Sequence, residues 1–157
     1  MPDRDVLQGL LDRVRAAEGP DRELDALIWW AFADHTDDHP DIAHLAAQQG
    51  PLAVIDKYWP PHWRTNFLSS IQHLTRSIDA AVALMERELP GWDIHFYPEG
   101  EGRPGYVAEM DWPADALVGD ANYFGVNGRG LTRPLAVVAA VLEAKLTLSR
   151  KDRPHGR

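Results

Sequence analysis

The sequence predicts an α+β fold in which a three-stranded, mainly antiparallel sheet is flanked by helices and an irregular insertion interrupts the chain. Four stretches place apolar residues at helical spacing, and three strand-like runs lie between the third and the fourth of them. A chain of 157 residues suits one domain. We therefore expect a single α+β domain over residues 1–150, with the insertion at residues 34–73 and a disordered basic tail at residues 151–157.

The first two predicted helices are separated by Gly19 and Pro20. The first should cover residues 5–17, and Asp21 is placed to cap the second. Trp29 and Trp30 are adjacent in the second helix, so they point about 100° apart and cannot both lie in the middle of its buried stripe. We expect one in the core and the other against another segment, a partner subunit or a ligand. The apolar stripes are Val6, Leu7, Leu10, Leu11 and Val14 in the first helix, and Leu24, Leu27, Ile28 and Ala31 in the second.

Residues 34–73 lack a strong pattern, which is typical of an insertion or a long functional loop. We expect a short helix on each side of Gly50 and Pro51. Beyond the insertion, Thr75 or Ser77 should cap the third helix. Its predicted apolar face consists of Ile78, Ala81, Val82, Met85 and Leu89.

The runs WDIHFYP and YVAEMDWP alternate apolar and polar residues, and together they predict an antiparallel hairpin with NYFGV as a third strand beside it. Trp92 and Trp112 are expected in the core at the strand ends. A histidine beside a carboxylate can act in general acid–base catalysis, although any half-solvated sheet presents such residues. The residues expected on one polar face are Asp93, His95, Glu109 and Asp111.

The fourth helix should be capped by Thr132 and tolerate Pro134 in its first turn. Its first half is apolar nearly all round, which predicts a central position against the sheet and the third helix. The glycine-rich residues 125–130 before it predict a strand-to-helix turn. Because amides at a helix N-terminus bind anions, this turn with Arg129 and Arg133 is the best anion-binding candidate, the alternative being a flexible turn without a ligand.

Composition excludes several classes of protein. The absence of cysteine rules out disulfides, thiol chemistry and cysteine-based zinc sites. The longest apolar run, residues 135–142, is too short to span a bilayer, so we expect no membrane partner and a cytoplasmic protein. The net charge is −8, and residues 1–41 hold eleven acidic residues against four arginines. This predicts an acidic surface and argues against direct binding of nucleic acid.

Histidines and aspartates crowd into residues 34–44. If this stretch were helical, His35 and His39 would share one side, and with a carboxylate they could bind a divalent metal. Pro40 and the turn-forming residues argue against a helix. We therefore expect a solvated acidic loop, no metal and no cofactor.

Three stretches carry a resemblance to known proteins. LLDRVRAAEGPDRELDALIWW is similar to a helix followed by GPxRxxDxxI, LTRSIDAAVALMERELPGWDI to TxSxDAAxxLxPxGW, and LTRPLAVVAAVLEAKL to a closing TPALALxxAxLRA helix. These patterns belong to small bacteriophage and prophage proteins described as having a phage α-β-α sandwich domain. Arg133 departs from the last pattern, since it precedes the proline. The resemblance implies that fold and a phage setting, and it supplies no catalytic residues.

We therefore expect a non-enzymatic phage accessory protein that acts against host defence in the host cytoplasm. The first hypothesis is a homo-oligomer that sequesters a nucleotide-derived immune signalling molecule by aromatic stacking and phosphate contacts. Its ligand-binding residues would be Trp29, Trp30, Arg129 and Arg133. The alternatives are an acidic inhibitor of a host nuclease or defence complex, a small metal-dependent hydrolase, and a structural or assembly protein.

Overall fold

The computed structural model describes residues 2–33, 72–113 and 125–151, together with positions 45, 48–50, 53–54 and 57. The strands form one sheet in the order β1-β2-β3, and both pairings are antiparallel. The predicted α+β class is confirmed. The described elements are α1 (Arg4–Ala16), α2 (Arg22–Phe32), α3 (Ile78–Glu88), β1 (Asp93–Pro98), β2 (Tyr106–Asp111), β3 (Gly125–Gly130) and α4 (Arg133–Lys151).

Polar side chains fix where the helices begin. Asp21 caps α2 as predicted, since its carboxylate accepts a hydrogen bond from the Leu24 amide at 3.0 Å. Ser77, rather than Thr75, caps α3. The Thr132 hydroxyl accepts a hydrogen bond from an amide in the first turn of α4 at 3.4 Å, as a capping residue does.

Helix α4 lies at the centre of the hydrophobic core, as its apolar first half predicted. Residues 135–142 are all completely buried. The helix packs against β2 and β3 on one side and against α1 and α3 on the other, while α2 packs on α1. Among the described elements, the helices therefore cover one face of the sheet and leave the opposite face, the outer face, without a helix.

The buried stripes follow the predicted spacing with small differences. Leu7, Leu10, Leu11 and Val14 of α1 are buried, whereas Val6 is 48% exposed and lies outside the stripe. Trp92 and Trp112 stack with their ring centroids 5.2 Å apart at the ends of β1 and β2. Trp92 belongs to the buried core as expected, whereas Trp112 is only partly buried and packs against it.

The third strand continues beyond its predicted end, because β3 covers Gly125–Gly130 whereas the predicted run NYFGV ends at Val126; residues 122–124 lie outside the described residues. The reason is the distance between β3 and α4. A Cβ atom on Gly128 would lie 2.1 Å from the Ala140 amide nitrogen, and one on Gly130 would lie 2.6 Å from the Ala136 amide nitrogen. Glycine weakens a strand taken alone, but here it lets a helix backbone approach the sheet.

Much of the predicted insertion and tail lies outside the described residues. Within residues 34–73, positions 45, 48, 49, 53, 54 and 57 are helical, on either side of Gly50 with its φ of 86°. Helix α4 extends to Lys151, the first residue of the predicted tail. None of the described helices has the length and apolar character needed to cross a membrane.

Candidate functional site

The turn predicted at residues 125–130 is wrong, because these residues form β3, while anion binding by Arg129 or Arg133 stays a prediction. Successive side chains of a strand point to opposite faces of the sheet. Since Gly128 and Gly130 face α4, Arg129 between them points to the outer face. Arg133 lies on the helix side, with its guanidinium carbon 5.3 Å from the centre of the Tyr106 ring. The sheet therefore separates the two arginines that were expected to flank one anion.

Trp29 and Trp30 lie in the last turn and a half of α2, and both are half-buried. Neither belongs to the fully buried core, so the expectation that one of them would is not met. Phe32, at the end of α2, lies beside Lys145 of α4, with 5.9 Å between the ammonium and the ring centre. Lys145 is twelve residues beyond Arg133, which corresponds to about 18 Å along the helix. The described contacts thus place this end of α2 and Arg133 at different ends of α4.

A shallow groove lies between α1 and the end of β3, and we name it the arginine groove. It has a volume of about 290 Å³ and is lined by Arg15, Glu99, Pro104, Arg129, Gly130 and Leu131. Both of its arginines have carboxylate partners. Arg129 pairs with Glu99 at 3.3 Å, and Arg15 pairs with Glu143 of α4. An anion entering this groove would therefore have to displace a carboxylate.

The outer face of the sheet is the largest polar arrangement in the described strands. Its register places Glu109 of β2 between His95 of β1 and Asn127 of β3, and Asp111 between Asp93 and Gly125. The residues expected from alternation to share this face do share it. Its polar members are Asp93, His95, Tyr97, Glu109, Asp111, Asn127 and Arg129.

Two cross-strand pairs organise the outer face. The Tyr97 hydroxyl donates a hydrogen bond to the Glu109 carboxylate at 3.2 Å, and His95 Nε2 lies 3.6 Å from Asp111 Oδ2. Within the described chain, the second oxygen of Asp111 is buried and has no hydrogen-bond partner. It lies next to Gly125, where a Cβ would be 3.2 Å away. Within the described residues, this oxygen is thus enclosed and left without a donor.

Tyr97 reports the electrostatics of this face. Partial burial of the phenol, followed by its hydrogen bond and proximity to the Glu109 carboxylate, raises the pKa of Tyr97 above 10.0. The phenol therefore stays protonated and remains a donor to Glu109 at neutral pH. Asp93, Glu109 and Asp111 contribute three carboxylates to the face, while Arg129 is already paired with Glu99.

The outer face is open to solvent at His95 and carries few of the groups used in nucleophilic catalysis. The His95 side chain is 67% exposed, so the His95–Asp111 pair is open to water. The three described strands place no serine, threonine or cysteine on this face that could act as a nucleophile beside His95. The arrangement resembles a surface that accepts hydrogen bonds and positive charge.

In the part of the chain that the structure describes, no three His, Cys, Asp or Glu side chains lie close enough together to hold a metal ion. The His35 and His39 stretch lies outside those residues. Comparison with protein-family models, with curated proteins and with solved structures finds no match to this chain.

Sequence reasoning missed one buried polar network. Asp25, in the first turn of α2, is completely buried. Its carboxylate pairs with Arg22 at 2.7 Å and accepts a hydrogen bond from the Thr75 amide at 2.7 Å. The Thr75 hydroxyl in turn accepts a hydrogen bond from the Asp21 amide at 2.8 Å. The i,i+3 spacing of Arg22 and Asp25 was the available signal, and the network ties the start of α2 to the segment before α3.

Proposed function

We propose that this chain is a non-enzymatic binding protein whose outer face docks on a basic surface of a partner protein. The observation that carries the proposal is the charge of the face. Asp93, Glu109 and Asp111 contribute three carboxylates, and the arginine of this face, Arg129, is already paired with Glu99. The nature of the partner follows from the phage setting that the resemblance implies. We propose a host nuclease or defence complex, blocked at its nucleic-acid-binding surface.

Charge complementarity supports this proposal physically. A nucleic-acid-binding surface presents lysine and arginine to phosphates, and a carboxylate array can occupy the same surface. Glu109 and Asp111 lie two residues apart on one face of the central strand, and the Glu109 carboxylate can accept hydrogen bonds from an incoming guanidinium. Near the helices, by contrast, part of the negative charge is compensated, as in the Arg13–Glu23 and Arg15–Glu143 pairs.

The test uses a short oligoarginine peptide as the probe for a basic surface. Isothermal titration calorimetry should show that Glu109→Gln weakens binding about tenfold, which corresponds to about 1.4 kcal/mol. Glu86→Gln removes the same charge from the exposed surface of α3 and should leave the affinity within a factor of two or so. Equal weakening by both variants would mean that net charge, and not the outer face, attracts the peptide.

A second candidate function is favoured by the arginine groove. Arg15 and Arg129 line the same groove, so a phosphate-bearing nucleotide signal that displaced Glu99 and Glu143 would meet two guanidinium groups. We propose sequestration of such a ligand as the alternative. In this version Arg133 does not contact the ligand, because it is not among the residues that line the groove. The assignment of Trp29 and Trp30 as stacking residues stays a separate prediction.

Native mass spectrometry after exposure to lysate from infected, defence-bearing cells separates the two candidates. A nucleotide-sized mass on the wild type that is absent from Arg129→Gln would support sequestration. A protein without any small ligand would contradict it. The oligoarginine experiment does not depend on this result, so each candidate can fail alone.

A further inference from the structure

Strand β1 is an open edge of the sheet. Among the described residues it pairs only with β2, and the sheet order leaves its other side without a strand. Phe96 and Tyr97 are 37% and 40% exposed, although both are large aromatic residues. Proteins usually protect such edges with lysine, proline, bulges or a covering element. In β1, such protection is confined to the two ends of the strand, with the charged Asp93 at its first position and Pro98 at its last.

The hydrogen bonds at the end of β1 show which backbone groups face the open edge. The Glu99 amide donates to the Gly105 carbonyl at 3.0 Å, so position 99 faces β2. In an antiparallel pair the direction alternates along the strand. Asp93, His95 and Tyr97 therefore direct their backbone groups to β2, while the even-numbered positions 94, 96 and 98 direct theirs outward. Pro98 has no backbone N–H, so it offers no donor at the edge. Ile94 and Phe96 each direct an N–H and a C=O group outward.

We propose that β1 pairs antiparallel with β1 of a second copy of this chain, in the register centred on His95. A two-fold axis normal to the sheet keeps the outer faces of both copies on the same side. Residues directly opposite each other must then point to the same face, so the axis has to pass between two copies of one residue. When the register is centred on His95, Ile94 of each copy lies opposite Phe96 of the other copy. All the free N–H and C=O groups of Ile94 and Phe96 are then paired. Centring on Phe96 would instead set Ile94 opposite Pro98, which has no N–H.

Side chains support the same register. On the helix side, Ile94 meets the exposed Phe96 ring of the second copy, which removes apolar surface from water. On the outer face, Asp93 of one copy lies diagonal to His95 of the other, so a carboxylate stands beside each imidazole. The proposal is independent of the proposed function. It joins two sheets into one of six strands and makes their outer faces continuous.

Cysteine cross-linking tests the register, because the chain contains no cysteine of its own. In the proposed dimer the two His95 Cα atoms are about 4.5 Å apart, which a disulfide can bridge. Tyr97 of one copy lies opposite Asp93 of the other, four residues along the strand from the second Tyr97. The two Tyr97 Cα atoms are therefore about 14 Å apart. In a glutathione redox buffer, His95→Cys should form a covalent dimer on a non-reducing gel, and the matched Tyr97→Cys should not.

Sedimentation velocity provides the second measurement. The wild type should sediment as a dimer, and Phe96→Lys should convert it to a monomer by placing two like charges at the joined edge. The control Val6→Lys changes an apolar residue on α1 that is 48% exposed, and it should leave the dimer intact. A monomeric wild type, or cross-linking of Tyr97→Cys or Phe96→Cys as strong as that of His95→Cys, would overturn the proposal.

Discussion

The closest approach in the fold is that of β3 to α4, and Gly128→Ala tests it directly. A Cβ at this position would lie 2.1 Å from the Ala140 nitrogen and 2.3 Å from the Ala136 carbonyl oxygen. Both atoms are backbone, so no side chain can rotate away. To reach ordinary contact, the helix would have to recede from the strand by about 1.3 Å. Residues 135–142 are completely buried, so this movement would loosen the core on every side.

The expected cost follows from these contacts. Overpacking a tight core typically costs about 1–3 kcal/mol, and three backbone atoms closer than 3.0 Å place this position at the upper end. Replacing glycine in a strand returns about 0.5–1 kcal/mol through the unfolded chain. The net loss should be about 2–2.5 kcal/mol, which for a domain of this size lowers Tm by about 4–10 °C.

Thermal unfolding followed by circular dichroism measures this loss, and urea unfolding followed by tryptophan fluorescence checks it. Gly9→Ala is the matched control, because Gly9 lies in α1 with nothing within 4 Å of its missing Cβ. Alanine is the better helix former, so this variant should gain about 1 kcal/mol. If Gly128→Ala unfolded at the same temperature as the wild type, α4 would not lie against β3 as described.

Two further predictions concern buried and partly buried polar groups. Asp25→Asn should cost about 2–3 kcal/mol in urea unfolding, because Arg22 loses its charged partner and is itself only partly exposed; an unchanged midpoint would contradict the network with Thr75. The raised pKa of Tyr97 means that the folded protein holds the phenolic proton more tightly than the unfolded chain does, so its contribution to stability is complete below pH 10.0 and is lost as the pH rises through the folded pKa. Between about pH 9 and pH 11, Tyr97→Phe should therefore lose less stability than the wild type, and parallel curves would show that Glu109 does not perturb the phenol.

The helices could be predicted from the sequence because their determinants are local. Asp21 and Ser77 act on amides three residues away, and the stripe of α1 repeats at the period of the helix itself. The third strand could not be predicted in the same way. Gly128 and Gly130 weaken a strand locally, and their advantage appears only when α4 lies against them. A tertiary contact thus decides the local structure there.

In the candidate site, too, the features set by local sequence could be predicted and those set by tertiary contacts could not. The alternation of residues in β1 and β2 is enough to predict the polar outer face, because a strand has a strict period of two. The anion site could not be predicted in this way, since the separation of Arg129 from Arg133 depends on where β3 ends. The strand runs on to Gly130 and replaces the predicted turn, whereas anion binding by either arginine stays a prediction.

The central position of α4 also sets the order of events during folding. The helix follows every other described element in the chain, and α1, which packs on it, lies more than a hundred residues earlier. During synthesis, the apolar sides of α1, α3 and the sheet leave the ribosome before the helix that will cover them exists. Contacts so distant in sequence slow folding, and uncovered apolar faces attract other chains. The apolar faces of the earlier elements therefore stay exposed until α4 has been synthesised, and chaperones can bind them during that time.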